Sequence, residues 1–221
     1  MLDVYHAPTT RSFRITWLLN ELGVDFNLIE MNYYANDRHQ PAFRAISPLG
    51  SLPVIVDDGF ALIESGAIIN YLLRKYGNGR FCYPDGSCEA ALVDQWMHWS
   101  ESLFAVHQRM YWDHCVPFPA GLKEPVRKVG LDAKKVAIGY LHMLEDALGE
   151  DGYMVGADLT GADFMLCFPL FLAGRDGWLV DHPKVSSYIA RIAALPNFKT
   201  AIADTLKVIA HFDKLKAEAA T

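Results

Sequence analysis

Residues 47–68 read SPLGSLPVIVDDGFALIESGAI, and no other stretch limits the fold so tightly. Pro53 opens an apolar run, Val54-Ile55-Val56. Proline cannot donate a ladder hydrogen bond, so it belongs at a strand start or a special turn. Asp57-Asp58-Gly59 is a hairpin turn signal, and a second apolar run, Phe60 to Ile63, follows it. Glu64-Ser65-Gly66 then leads into a helical pattern from Ala67 to Leu73. Strand, tight turn, strand and helix thus follow one another without a break. Glu64 and Ser65 stand where the helix begins. Free backbone N–H groups and the positive end of the helix dipole favour an anion there.

The preceding residues alternate in kind. Leu2–His6 reads as a strand. Ser12–Leu22 carries apolar Phe13, Trp17, Leu18 and Leu22 at helical spacing, and Gly23 suits the position just past its end. Phe26–Met31 reads as a second strand, and Pro41–Ala45 as a short helix with Phe43 inward. The order β-α-β-α-β-β-α predicts an α/β domain of thioredoxin-like type over 1–80. Its β-α-β unit implies parallel pairing with a right-handed crossover.

Residues 77–88 (GNGRFCYPDGSC) have the composition of a linker. Beyond them the pattern is helical, which predicts an all-α domain over 89–221. Leu92, Trp96, Trp99, Leu103 and Val106 repeat at helical spacing. So do Val129, Val136, Leu141, Leu144 and Leu148 within 126–148, and further helices are expected at 183–195 and 197–212. Thr160-Gly161-Ala162-Asp163 is a capping-box variant, with Leu159 and Phe164 as its hydrophobic staple.

A hydrophobic content of 52% supports a sizeable core, and the net charge of −6 argues against a nucleic-acid partner. No apolar run reaches the length of about 18 that a membrane helix needs. The opening Met-Leu-Asp-Val-Tyr-His lacks the basic and apolar regions of a signal peptide, so cytoplasmic residence is expected. Cys82, Cys88, Cys115 and Cys167 form no C-x-x-C pair and read as plain thiols. The eight histidines show no metal-ligand spacing, so no metal is expected.

The combined pattern of Leu52-Pro53, the Asp57-Asp58-Gly59 turn and Glu64-Ser65 before a helix resembles the cytosolic glutathione S-transferases. The resemblance covers nearly the whole chain and includes the capping box. It implies the glutathione transferase fold, a homodimer, and glutathione as co-substrate. It implies that Pro53 is cis and that Leu52 pairs its backbone with the cysteinyl part of glutathione. Glu64 and Ser65 then grip the γ-glutamyl end. Arg38 and His39 fall where theta-like relatives bind the glycyl carboxylate. Ser51 stands where many relatives carry Lys or Gln, a departure from the pattern.

In this family the thiol-activating residue lies in the turn after the first strand. Here that turn is Ala7-Pro8-Thr9-Thr10-Arg11-Ser12. Tyr5 lies too early and no cysteine is present, so hydroxyls remain, as in a bacterial-type, theta/nu-like enzyme. Thr10 matches the serine of theta- and delta-like enzymes, whereas Thr9 matches the threonine of bacterial disulfide-reducing relatives. Ser12 ranks third, because it is also a natural helix cap. Arg11 adds positive charge. A thiol of pKa ~8.5 is mostly protonated at neutral pH, and lowering it by ~2 units takes about 2.7 kcal/mol of thiolate stabilisation.

The implied activity is conjugation of glutathione thiolate to hydrophobic electrophiles, bound between the domains near the aromatic-rich stretch Trp96–Trp112. The alternatives are glutathione-dependent disulfide or peroxide reduction, and a non-catalytic interaction module.

Overall fold

The computed structural model describes residues 1–32, 37–116, 124–149 and 152–219. The chain divides into two compact units, one of residues 1–78 with 193–221 and one of 79–192. The first unit is the expected thioredoxin-like arrangement. Strands β1 (Leu2–His6), β2 (Asn27–Glu30), β3 (Val54–Asp57) and β4 (Phe60–Ile63) form one sheet in the order β2-β1-β3-β4. β1 runs parallel to β2 and antiparallel to β3, and β3 and β4 form the antiparallel hairpin. Asp58 (φ 48°) and Gly59 (φ 87°) are both left-handed, as a hairpin turn matched to strand twist requires.

Helices α1 (Phe13–Leu22), α2 (Pro41–Ile46) and α3 (Ser65–Tyr76) join the strands, and a short 3₁₀ turn spans Asp37–His39. Gly23 ends α1 in the left-handed conformation. Phe43 is buried, as its spacing predicts. Asp57 ties α3 to the hairpin by accepting hydrogen bonds from Tyr71 (2.9 Å), Lys75 (2.6 Å) and Tyr76 (2.7 Å).

The second unit holds α4 (Cys88–Trp99), a π-helical stretch at Ser100–Phe104, α5 (Ala105–Cys115), α6 (Arg127–Ala147), α7 (Gly161–Arg175) and most of α8 (Pro183–Ala194). The last helix, α9 (Pro196–Ala219), groups with the first unit, whereas sequence patterning joins it to the helical domain. Phe198 packs edge-on against Phe13 and Trp17 of α1, with ring centroids 5.0 and 5.2 Å apart.

Two helix faces depart from the sequence reading. Leu92 and Val106 are exposed, while Val93, Trp96, Met97, Trp99 and Phe104 are buried. The π stretch accounts for Val106, because its wider turn shifts the phase of every residue that follows, whereas Leu92 precedes it and lies on the outer face of α4. On α6, Val129 and Val136 are exposed, and Gly130, Ala133 and Ala137 are buried. A Cβ at Gly130 would lie 2.5 Å from Cys115 Sγ, so α5 and α6 meet through small residues. The aromatics of α4 and α5 mostly pack internally: Trp96 on Trp99, Trp99 on Phe104 and Tyr140, and Tyr111 on Trp178.

α7 carries a buried proline. Pro169 has no N–H for the Met165 carbonyl, and Ser100 Oγ donates to that carbonyl at 3.1 Å. At its start, the fully buried Asp163 accepts from Thr160 N–H (2.7 Å), Thr160 Oγ1 (2.9 Å), Met154 N–H (2.9 Å) and Tyr188 Oη (2.6 Å). Burial pushes the Asp163 carboxyl up, and the four donors oppose that push. Asp163→Ala strands these donors in the core. Its unfolding free energy, measured in denaturant, is expected to drop by about 3–5 kcal/mol, against ~1 kcal/mol for Thr160→Ala as a cap.

Candidate functional site

Sheet register gathers most of the sequence-predicted residues at one edge. Tyr5 pairs with Val54, so the end of β1 lies beside the start of β3. Val54 pairs with Ile63, so the end of β4 lies beside that same start. The turn after β1, the Leu52-Pro53 bond and the Glu64-Ser65 pair therefore meet there. Ala7, Leu52, Val54, Phe43 and Met31 form one apolar cluster beneath them.

The turn after β1 is a network of hydroxyls. Thr9 is exposed with φ 59°, and its Oγ1 donates back to the Pro8 carbonyl at 2.7 Å. Thr10 is half-buried, with Oγ1 2.8 Å from the Ala7 carbonyl and 2.7 Å from Ser12 Oγ. Ser12 is fully buried and occupies the cap position of α1, but its hydroxyl makes no cap hydrogen bond. Instead Ser12 Oγ accepts from Ala7 N–H at 3.3 Å and lies 2.9 Å from His6 Nδ1. Arg11, half-buried, follows Thr10 in the same turn.

His6 and Thr205 are not singled out by sequence reasoning. His6 Nε2 lies 3.2 Å from Thr205 Oγ1 on α9. Strand alternation carries a signal for His6: Leu2, Val4 and His6 all point inward. Thr205 has no such signal, since its partner is 199 residues away.

The Leu52-Pro53 bond is cis, as the resemblance implied. Glu64 precedes α3 with φ 71° and ψ 111°, a strained setting for a non-glycine residue, and its side chain is exposed. Ser65 is buried at the first position of the helix, where Arg14 Nη1 donates to its Oγ at 2.9 Å. Arg14 is fully buried and was read from sequence only as a helix residue.

Arg38 and His39 lie in the 3₁₀ turn, with Arg38 Nε donating to His39 Nε2 at 3.2 Å. Ser51 is clasped by Ser47, whose Oγ donates to the Ser51 carbonyl (2.9 Å) and accepts from its N–H (3.0 Å). Gly50 joins the two segments. Its φ is 63°, and a Cβ there would lie 2.6 Å from the Arg38 carbonyl oxygen.

Chemically, this edge offers the N-termini of α1 and α3, the hydroxyls of Thr10 and Ser65, and cationic Arg14 and Arg38. These suit a small peptide-like ligand with anionic ends. Among the described residues, no trio of His, Cys, Asp or Glu is arranged to hold a metal ion, and no helix is long and apolar enough to cross a membrane.

Residues 1–74 match the glutathione S-transferase N-terminal domain, and 123–204 match the C-terminal domain. Glutathione S-transferase 3 of Schizosaccharomyces pombe is 33% identical over 186 residues, covering 80% of this chain and 76% of the relative. The chain belongs to the glutathione S-transferase family. It is also similar to a disulfide-bond oxidoreductase of Escherichia coli, 28% identical over 89% of this chain and 92% of that protein. A crystal structure of a glutathione transferase homolog from Lodderomyces elongisporus, with two glutathione molecules per subunit, shares the fold. Its TM-score is 0.82 at 22% identity, covering 90% of this chain and 96% of that one.

One property of this transferase corner is measurable without ligand. Burial holds His6 neutral, lowering its pKa from 6.5 to about 4 against the upward pull of Asp204 and Glu30. Between these values the unfolded chain binds more protons than the folded one. Stability present at neutral pH is therefore lost as pH falls from about 6.5 to about 4, by up to roughly 3 kcal/mol. Denaturation midpoints across this window are expected to fall more steeply for the parent chain than for His6→Asn.

Proposed function

We propose that the glutathione transferase activity of this chain uses Thr10 as the hydrogen-bond donor to the glutathione sulfur, in the manner of a bacterial-type, theta/nu-like enzyme with a hydroxyl active site. The observation that carries this reading is the position of the Thr10 hydroxyl. It is half-buried in the turn after β1 and backed by Ser12 Oγ at 2.7 Å. Ser12 itself is surrounded by His6, Ala7 and Thr10 and has no exposed surface. A donated hydrogen bond favours thiolate over thiol, and the start of α1 together with Arg11 adds positive potential.

The rest of glutathione is placed by the same reading. Glu64 pairs with the amino group of the γ-glutamyl end. Ser65 meets its carboxylate at the N-terminus of α3, beside Arg14, which donates to the Ser65 Oγ. Leu52, before Pro53, meets the cysteinyl part, and Arg38, His39 and Ser51 meet the glycyl carboxylate. The co-substrate is a soft, hydrophobic electrophile, and the role is detoxification in the cytoplasm. The chain acts as a homodimer, with exposed Leu92, Val106 and Met110 on α4 and α5 as apolar surface for the partner.

Disulfide reduction is the second reading. It draws on the Escherichia coli oxidoreductase relative and on the exposed Thr9 hydroxyl.

Thr10→Val keeps the shape and removes the donor. The pKa of bound glutathione thiol is expected to rise by about 1–2 units, with turnover at neutral pH falling ~10-fold or more and glutathione affinity little changed. The loss shrinks at higher pH. A shift in Thr9→Val and none in Thr10→Val would favour the reductase reading.

Glu64→Ala and Ser65→Ala are each expected to raise KM for glutathione roughly 10-fold, leaving KM for the electrophile unmoved. Equal effects on both substrates would contradict the assignment. Light scattering at micromolar concentration is expected to give twice the chain mass, and a single-chain mass would remove the homodimer.

A further inference from the structure

The hydroxyl network of the β1 turn continues beyond Thr10, and hydrogen-bond accounting gives it a direction. In order, Thr10 Oγ1 lies 2.7 Å from Ser12 Oγ, Ser12 Oγ lies 2.9 Å from His6 Nδ1, and His6 Nε2 lies 3.2 Å from Thr205 Oγ1. His6 and Ser12 are buried, so each polar atom must be satisfied within this set. We propose that His6 is a positioning residue for thiolate formation: with its proton on Nδ1 it donates to Ser12, directs the Ser12 hydroxyl onto Thr10, and releases the Thr10 proton toward sulfur. The proposal rests on Thr10 being the group that meets sulfur.

A neutral imidazole carries one proton, on either nitrogen. With the proton on Nδ1, Ser12 Oγ accepts from both His6 and the Ala7 N–H, which fills its lone pairs. The Ser12 hydroxyl then has two acceptors, Thr10 Oγ1 at 2.7 Å and the Ala7 carbonyl at 3.3 Å, and its proton goes to the nearer, Thr10, while Thr205 donates to His6 Nε2. Thr10 is left with one proton, which rests on the Ala7 carbonyl at 2.8 Å until a better acceptor arrives. With the proton on Nε2 the direction reverses. His6 donates to Thr205, Thr205 donates to the Ala201 carbonyl at 3.0 Å, and Ser12 donates to His6. Ser12 Oγ then has an open lone pair 2.7 Å from Thr10, and the Thr10 proton is drawn inward.

A thiolate beside Thr10 distinguishes the two forms. In the first, three dipoles align head to tail toward the negative sulfur and strengthen one another. In the second they point away. The bound thiolate therefore favours the Nδ1–H tautomer, and the ring must be neutral to have tautomers at all. Asp204 of α9 and Glu30 of β2 pull toward the charged ring, but burial outweighs them. Glu30 also faces His211 of α9, its Oε2 against the ring Nδ1.

The direct test uses the unaltered chain. Nitrogen-15 NMR of labelled histidine, with His6 assigned from the His6→Asn spectrum, reads the tautomer with glutathione bound. The Nδ1–H form is expected, and the Nε2–H form overturns the proposal. The second test reads the bound thiol pKa by thiolate absorbance. His6→Leu is expected to raise it by about 1 unit with less than ~2-fold change in glutathione affinity, and His6→Asn, which offers an N–H at similar reach, to recover most of the shift. In a Thr10→Val background, His6→Leu is expected to add nothing, because it acts through Thr10. Additive shifts overturn the relay. If Thr10→Val leaves the pKa unmoved, the assignment of Thr10 falls and the relay with it. If Thr10→Val moves it and His6→Leu does not, the relay alone falls.

Discussion

The burial of all but Asn20 and Glu21 of α1 is the constraint on which the first unit depends. Phe13, Arg14, Ile15, Thr16, Trp17, Leu18, Leu19 and Leu22 all lie below the surface. A helix buried over most of its surface cannot leave its polar groups to water. Arg14 therefore reaches Ser65 at the start of α3, Thr16 bonds the Phe13 carbonyl at 3.1 Å, and Trp17 donates to Glu21 at 2.9 Å. Glu21 in turn holds Asn197 of α9 at 2.9 Å. The order seen around the β1 turn and the start of α3 is largely the outcome of satisfying one desolvated helix.

The second unit meets a similar demand differently. α7 is apolar on nearly every face and contains Pro169, whose missing N–H frees a buried carbonyl. Ser100 covers the Met165 carbonyl, and Gln108 donates to that of Pro169 at 2.9 Å. Ser100 opens the π stretch, and Gln108 follows it in the first half of α5. The segment that shifts the helical phase thus also serves the break in the neighbouring helix.

What was legible in the sequence was what is written locally. Pro53, the Asp57-Asp58-Gly59 turn, Glu64-Ser65 and Thr160–Asp163 each combine a residue type with a fixed short spacing, and each lies where that spacing implies. Phase along α4–α5 was not legible, because a π turn leaves no mark in hydrophobic periodicity. The buried face of α6 was hidden for another reason: Gly130, Ala133 and Ala137 are too small to mark a hydrophobic face until a second helix is set against them. Gly50 carries no signal in the sequence, and only the Arg38 carbonyl gives its left-handed φ a purpose. Arg14 and Thr205 were invisible because their partners, Ser65 and His6, are distant in sequence.

The link between His6 and Thr205 has a consequence for the order in which the molecule matures. On a ribosome the residues of the sheet emerge early, and every strand pairing in it lies within residues 2–63. The ring of His6, however, meets its outer partner only after 199 further residues have been added. Until then one imidazole nitrogen faces whatever solvent is at hand. The nascent sheet thus holds the turn after β1 in an unfinished electrostatic setting through most of synthesis, and the arrival of α9 is the event that completes it.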